Sequence, residues 1–301
     1  MTIRRAAAVR KVTDRAAETG PAPVSASPAT REIADWGRGY VRRHPQAALE
    51  TVGGQFVLGV RAMQYLVLDI VTGRFAFAEF IRQSAFMASS AALPTIFVSL
   101  PIGVTLSIQF GLLAGQVGAT SLAGAASGLA VIRQGAPMVA ALLMAAAVGS
   151  AICADLGSRK IRDELDAMEI MGVSVIRRLV VPRLAAAILV GVCLTGVVCF
   201  VGFLAGYLFN VFAQNGTPGS FVATFASFAT VGDLWLTVVK AVVYGAIVAV
   251  VACEKGLSTR GGPAGVANAV NSTVVSSILL LMVVNVVFTQ MFLILFPRSA
   301  L

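Results

Sequence analysis

The chain has 301 residues, of which 57% are hydrophobic and only 12% are charged. Soluble globular domains carry about 25% charged residues, so this composition excludes an ordinary soluble enzyme and a disordered protein. The net charge of +9 does not indicate nucleic-acid binding, because the basic residues avoid the apolar segments. Uncharged runs cover 83–132, 134–154, 184–232 and 261–297. About 20 apolar residues cross a bilayer, so we predict an all-α integral membrane protein.

The N-terminal region divides into a tail and an amphipathic segment. Residues 1–46 mix Arg, Ala, Pro and Ser and bury too little apolar surface to offset chain entropy, which predicts a largely disordered cytoplasmic tail. In residues 47–90, Phe56, Val60 and Met63 recur at helical spacing among basic residues. This pattern favours helices lying in the membrane interface, and a helix packed against the rest of the protein is the alternative.

Residues 91–297 are predicted to form the membrane domain. Five spanning helices are expected at about 91–118, 134–156, 179–212, 233–254 and 272–296. The linker 119–132 is rich in small residues and fits either a partial span or a wide outer turn. Lys and Arg concentrate in 1–90, 157–183 and 254–271. Because these residues mark the cytoplasmic side, the N-terminus is predicted inside and the C-terminus outside.

Ionisable and small residues within the spans provide few candidate sites. Lys240 is the main intramembrane ionisable residue, and we interpret it as reaching towards the outer headgroups, with Asp233 on the same helix face. Three pairs of glycines at small-xxx-small spacing favour tight helix packing or dimerisation: Gly111/Gly115, Gly124/Gly128 and Gly202/Gly206. No catalytic set, metal cluster or phosphate-binding loop is recognisable, and the only histidine is His44.

The loop between the second and third spans is the most informative segment. Residues 158–172 are predicted to form a short helix with a narrow apolar stripe and dense charge. The i,i+4 pairs Arg159/Asp163, Lys160/Glu164 and Arg162/Asp166 are expected to add a few tenths of a kcal/mol each. Such a helix fits either a solvated interfacial position or insertion into a groove of a soluble partner.

This segment carries a resemblance to a known family. Glu164-Leu-Asp-Ala-Met-Glu-Ile-Met-Gly172, followed by Arg177-Arg-Leu-Val-Val-Pro-Arg183, resembles the hallmark of MlaE/YrbE permeases of lipid-transporting ABC systems. Gln134-Gly-Ala-Pro137, Ala151-Ile-Cys-Ala-Asp-Leu-Gly157 and Ala269-Val-Asn-Ser-Thr-Val-Val275 extend the likeness in order. The residues of these motifs are most similar to those of the A-type YrbE subunits of mycobacterial Mce systems.

The resemblance implies an MlaE-like permease fold and a subunit of an ATP-driven importer of fatty acids, mycolic-type acids or sterols in the inner membrane. Its implied partners are a B-type YrbE chain, Mce proteins that deliver lipid, and Mkl- or MlaF-like ATPase subunits that hold ATP and Mg. No cofactor or metal is implied on this chain. Residues 158–172 become the coupling helix, with ATPase contacts at Arg159, Arg162, Asp163, Glu164, Asp166, Met168, Glu169, Met171 and Gly172. Gln109, Leu113, Val117 and Gln134 are the implied lipid-pathway residues.

Two departures from the family pattern affect this interpretation. Ser174-Val175 replaces the usual Asp-Pro, although Gly172 still offers a helix C-cap. Arg133-Gln-Gly lacks the usual apolar residue before its glycine. A non-transporting scaffold, including an inactive half of a permease dimer, is the main alternative function. An integral-membrane lipid enzyme such as an acyltransferase is a weaker alternative, because the sequence offers no catalytic constellation.

Overall fold

The computed structural model describes residues 53–73, 75–119, 122–213 and 217–295, and all regular structure in these ranges is helical. The predicted tail 1–46 lies outside the described residues. The helices are α1 (Gly53–Val71), α2 (Phe77–Gln116), α3 (residues 123–161), α4 (Glu164–Ile170), α5 (residues 176–213), α6 (Pro218–Phe228), α7 (Val231–Leu257) and α8 (Gly262–Leu295).

Six of these helices are long and apolar enough to cross a membrane, judged by length and composition: α1, α2, α3, α5, α7 and α8. Helices are favoured here because a chain in hydrocarbon must satisfy its backbone hydrogen bonds internally. The predicted all-helical membrane class is therefore confirmed. Each of the five predicted spans overlaps one of the last five of these helices, and α1 lies in the segment predicted to be interfacial.

Helix α2 corrects a predicted boundary. The sequence pattern placed a break near residue 90, between an interfacial helix and the first span. The structure instead has one continuous helix of 40 residues, which corresponds to about 60 Å. This exceeds the hydrocarbon thickness of about 30 Å, so α2 extends well beyond the apolar layer. The stretch around residue 90 is rich in Ala, the strongest helix former, and the helix continues through Pro94 and Pro101.

Helix α3 settles the two interpretations of linker 119–132. Residues 123–130 are helical and continue directly into the second span, so most of the linker is neither a separate span nor an open turn. Two single π-helical turns, Val131–Gly135 and Met144–Gly149, interrupt the α-helical hydrogen bonding of α3. Such turns rotate the following side chains around the axis and are frequent at functional sites.

Glycines allow the helices to approach closely. A Cβ at Gly103 of α2 would overlap the carbonyl of Gly202 in α5, and the Ser107 hydroxyl donates to the Gly206 carbonyl at 3.1 Å. A Cβ at Gly124 or at Gly128 of α3 would overlap a phenylalanine ring of α6. Two of the three predicted glycine pairs thus pack within the chain.

The third glycine pair behaves differently. A Cβ at Gly115 of α2 would meet nothing within 4 Å. The α2 face at this glycine is therefore open in the single chain.

Helix α1 lies across one end of the bundle. Near its start, Gly54 lies beside the Glu254 carboxylate of α7. Near its end, Asp69 accepts hydrogen bonds from the Arg177 guanidinium of α5, with Nε to Oδ2 at 3.0 Å. Ile176 lines the same groove as Glu254, so both ends of α1 contact the same end of the bundle.

Candidate functional site: an exposed elbow and a buried polar cluster

The segment between α3 and α5 is an elbow rather than one helix, which corrects the predicted helix 158–172. Helix α3 continues to Ile161, and Asp163 then adopts a left-handed conformation with φ 58°. Aspartate tolerates this region better than most residues. After α4, Gly172 has φ 76° and closes the helix. We call the bundle end that carries this elbow the α4 end.

Gly172 ends α4, as predicted from its position at the helix C-terminus. The Gly172 amide donates to the carbonyl of Glu169, and the Val173 amide donates to that of Met168, both at 2.9 Å. These two bonds form a Schellman motif. The helix is thus ended sharply without the proline that Ser174-Val175 replaces.

The ion pairs of the elbow differ from the predicted i,i+4 set. Arg159 pairs with Asp155 at 3.2 Å and Arg162 with Glu164 at 2.8 Å. Lys160 pairs with Asp166 at 2.6 Å and so connects α3 to α4. The predicted pairing was wrong because the break at Asp163 removes the continuous helical register that it required.

The two faces of α4 have different surroundings. Leu165 is buried and Met168 is half-buried against the core of the bundle, so these apolar residues anchor the helix. Ile170 and Met171 are 88% and 70% exposed. Met171 is one of the predicted contact residues, and three predicted acidic contacts lie on the same exposed side: Asp163, Asp166 and Glu169. The predicted contact at Met168 thus points inwards.

The sequence analysis did not select Ile170. Its only signal was an apolar side chain that lies off the predicted stripe of the helix. The exposed face of α4 therefore combines an apolar pair, Ile170 and Met171, with carboxylates.

Two arginines of the hallmark segment connect α5 to neighbouring helices at the α4 end. The Arg183 side chain is only 2% exposed; it pairs with Asp155 of α3 and donates to the Leu179 carbonyl at 3.1 Å. Arg177 pairs with Asp69 of α1. The hallmark arginines therefore join three helices at the α4 end, a role that spacing along the chain did not indicate.

Lys240 is buried, which corrects the prediction that it reaches towards the outer headgroups. Its side chain is within the bundle, with the residue 1% exposed. The ammonium donates to Gln134 Oε1 at 3.1 Å, Thr289 Oγ1 at 3.0 Å and Asn285 Oδ1 at 3.3 Å. Tyr244 donates to the same Asn285 oxygen at 2.8 Å. This buried polar cluster connects α3, α7 and α8.

Asp233 does not join Lys240, despite the predicted shared face. It pairs with Arg133, with Nε to Oδ1 at 2.7 Å, and forms a capping box with Thr230 at the start of α7. The π-turn in α3 carries both Arg133 and Gln134. Adjacent residues of one turn thereby reach two different polar partners on α7.

The predicted lipid-pathway residues occupy two environments. Leu113 of α2 and Val117, the residue after its end, are 55% and 76% exposed, and Gln109 is exposed on α2. Gln134 is half-buried and belongs to the buried polar cluster. Among the described residues, no group of three or more His, Cys, Asp or Glu is placed to hold a metal ion.

The fold can now be compared with known families. Residues 80–291 match the family described as Permease MlaE. This chain belongs to the MlaE permease family. Because the match extends from the early part of α2 to the late part of α8, it includes both the elbow and the buried polar cluster of this MlaE-family protein.

Curated relatives agree with this membership. A "Probable ABC transporter permease protein" of Synechocystis is 29% identical over 72% of this chain and 83% of the relative. A protein of the same description from Rickettsia typhi is 29% identical over 54% of this chain and 63% of the relative. "Protein TRIGALACTOSYLDIACYLGLYCEROL 1, chloroplastic" of Arabidopsis thaliana is 26% identical over 75% of this chain and 65% of the relative. The chain is thus similar to ABC transporter permeases, which act with an ATPase partner.

Proposed function

We propose that this chain is the permease subunit of an ATP-driven lipid transporter. Its family membership and the name of the Arabidopsis relative, which is that of a glycolipid, support a lipid cargo. Removing an acyl chain from a bilayer costs about 0.8 kcal/mol per CH₂, so an apolar path lowers a large barrier. The exposed apolar face at the end of α2, with Leu113 and the following Val117, is suited to line such a path against a second permease chain.

The exposed face of α4 carries the coupling part of this proposal. An adjacent apolar pair of such exposure, bordered by carboxylates, is typical of a helix that fills a groove of a partner. We infer that the ATPase partner receives Ile170 and Met171, and that Asp163, Asp166 and Glu169 meet its basic side chains. The hallmark arginines would pass the resulting force to α1, α3 and α5.

We infer the membrane orientation from the charge distribution. Lys and Arg concentrate near the α4 end, which we assign to the cytoplasm. Since both ends of α1 contact this end of the bundle, we place α1 in the interface and the five longer apolar helices across the membrane. We further propose a B-type YrbE chain as the second permease and Mce proteins as lipid donors, on the motif resemblance alone.

Affinity purification of the chain from its host in mild detergent tests this function. Protein identification should recover an ATPase and a second permease, and lipid mass spectrometry should find one enriched lipid class. The purified complex reconstituted with that lipid should hydrolyse ATP faster than the complex in bulk lipid. Recovery of a complex whose ATPase does not respond to any lipid would favour a scaffold or an inactive half of the dimer.

A further inference from the structure

An open groove of about 330 Å³ lies at the α4 end, between α1, the start of α5 and the end of α7. Apolar side chains form most of its walls: Val57, Leu58, Ile176 and Leu257. Two ionisable residues of opposite charge also line it, Arg61 from α1 and Glu254 from α7. The groove is separate from both the exposed face of α4 and the buried polar cluster.

Glu254, which lines this groove, has one unsatisfied carboxylate oxygen. Its Oε2 atom is buried and has no hydrogen-bond partner among the described residues. A buried carboxylate oxygen without a donor is unfavourable, because it has lost its water without gaining a replacement bond. The chemistry of the site therefore calls for a hydrogen-bond donor, preferably a cationic one.

Arg61 supplies the opposite charge. It is exposed on α1 and forms no ion pair with Glu254, nor with another carboxylate in the described part of the chain. One carboxylate and one guanidinium that share a groove without pairing are complementary to a dipolar ligand. Such a ligand would place an ammonium at Glu254 and an acidic group, such as a phosphate, at Arg61.

We propose that this groove binds the headgroup of an amine-bearing phospholipid, with an ammonium N–H donating to the Glu254 carboxylate and the phosphate accepting from Arg61. The exposed apolar side chains of α1 beside the groove, Phe56 and Val60, favour a lipid over a soluble phosphoamine because they can contact acyl chains. Glu254 requires a donor, so a primary ammonium fits and a quaternary choline does not. This proposal requires that the chain is inserted in a membrane, as the proposed function does, but it does not depend on which lipid is transported.

Lipid-binding measurements on the full chain test this inference. Delipidated protein in detergent is titrated with phosphatidylethanolamine, phosphatidylcholine and phosphatidylglycerol of identical acyl chains, and binding is followed by native mass spectrometry. Wild type should bind the ethanolamine lipid about tenfold more tightly than the choline lipid, since one charge-assisted hydrogen bond differs. Glu254→Gln should reduce this preference to about threefold or less.

The second ligand contact has its own variant. Arg61→Gln should weaken binding of the ethanolamine and choline lipids equally, because both present the same phosphate. The fold should be retained, because the Arg61 side chain is exposed. Arg260→Gln removes the same charge from an exposed position outside the groove and should leave binding unchanged.

Three results would overturn the inference. The first is an ethanolamine preference that survives Glu254→Gln. The second is tighter wild-type binding of phosphatidylglycerol, which carries no ammonium. The third is competition by soluble glycerophosphoethanolamine at the same concentration as the lipid, which would assign the groove to a soluble ligand instead.

Discussion

The exposed face of α4 and the buried charges towards the other end of the bundle use charged side chains in opposite ways. At the α4 end, Asp166 and Glu169 are exposed beside Ile170, so their charges and the apolar side chain are available to another molecule. Towards the other end, Lys240 and Asp233 are almost fully buried and bonded to neighbouring helices. The comparison teaches that charge within an apolar protein can serve either recognition or helix-to-helix cohesion, and that burial distinguishes the two.

The sharpest test of this comparison changes the exposed apolar pair. The double substitution Ile170→Asp and Met171→Asp should reduce ATPase copurification more than tenfold, because two carboxylates would replace the groove-filling side chains. The unfolding temperature should stay near that of wild type, since both side chains are exposed. Pull-down and thermal unfolding measure the two effects.

A matched control for that test is Arg260→Asp, an exposed change at the same end of the bundle but outside α4. It should retain the ATPase. An equal loss of ATPase copurification in the control and the double variant would mean that the net charge of the protein, rather than the exposed face of α4, determines binding of the partner.

The largest stability effect is expected in the buried polar cluster. Asn285→Leu removes an acceptor shared by Lys240 and Tyr244 and should lower the free energy of unfolding by about 3 kcal/mol, because a buried cation and a buried hydroxyl lose a partner. Denaturant unfolding in detergent measures this loss. Asn271→Leu, at an exposed position of the same helix, should cost much less. Equal costs would show that the cluster contributes no cohesion.

A smaller loss is expected at the capping box of α7. Asp233→Asn should lower the free energy of unfolding by about 2 kcal/mol, because Arg133 loses its charged partner while the amide still accepts from the helix start. Denaturant unfolding in detergent measures this loss as well. Asp163→Asn, at the exposed elbow, is the comparison and should be close to neutral. A larger loss at Asp163 would reverse the proposed difference between the two ends.

The smallest effect is expected for the ion pair that connects α3 to α4. Asp166→Asn removes the contact with Lys160 and should cost below about 1 kcal/mol, because both side chains are partly solvated. Thermal unfolding at low and high salt measures it, with a smaller difference between the variant and wild type at high salt. A loss above about 2 kcal/mol would mean that this pair holds the elbow in place.

Composition and periodicity were sufficient for the larger features. Long uncharged runs located five apolar helices, and most of the predicted helix ends lie within a few residues of the observed ends. The requirement for about 20 apolar residues in a span does not depend on neighbouring helices. Gly172 also predicted its own cap, because a positive φ after a helix is a local property of glycine. The hallmark segment led to the family that the comparisons show.

Contacts between residues that are distant in the sequence could not be predicted from the sequence alone. The pattern gave no sign that Arg183 reaches Asp155 or that Arg177 reaches Asp69, because these partners are separated by 28 and 108 positions. The elbow at Asp163 was missed because a charged stretch at helical spacing also fits one continuous helix. The groove beside Glu254 could not be predicted, because its walls come from three helices that are distant in the sequence.

What the sequence by itself determined is the membrane class, the apolar helices, the family motif and the cap at Gly172, since each follows from local composition or from a contiguous run of residues. Only the tertiary structure decided which charges are exposed and which are enclosed. Lys240 shows the reason: its own helix cannot indicate whether the ammonium meets headgroups or oxygens of α3 and α8, because those oxygens are brought to it by packing.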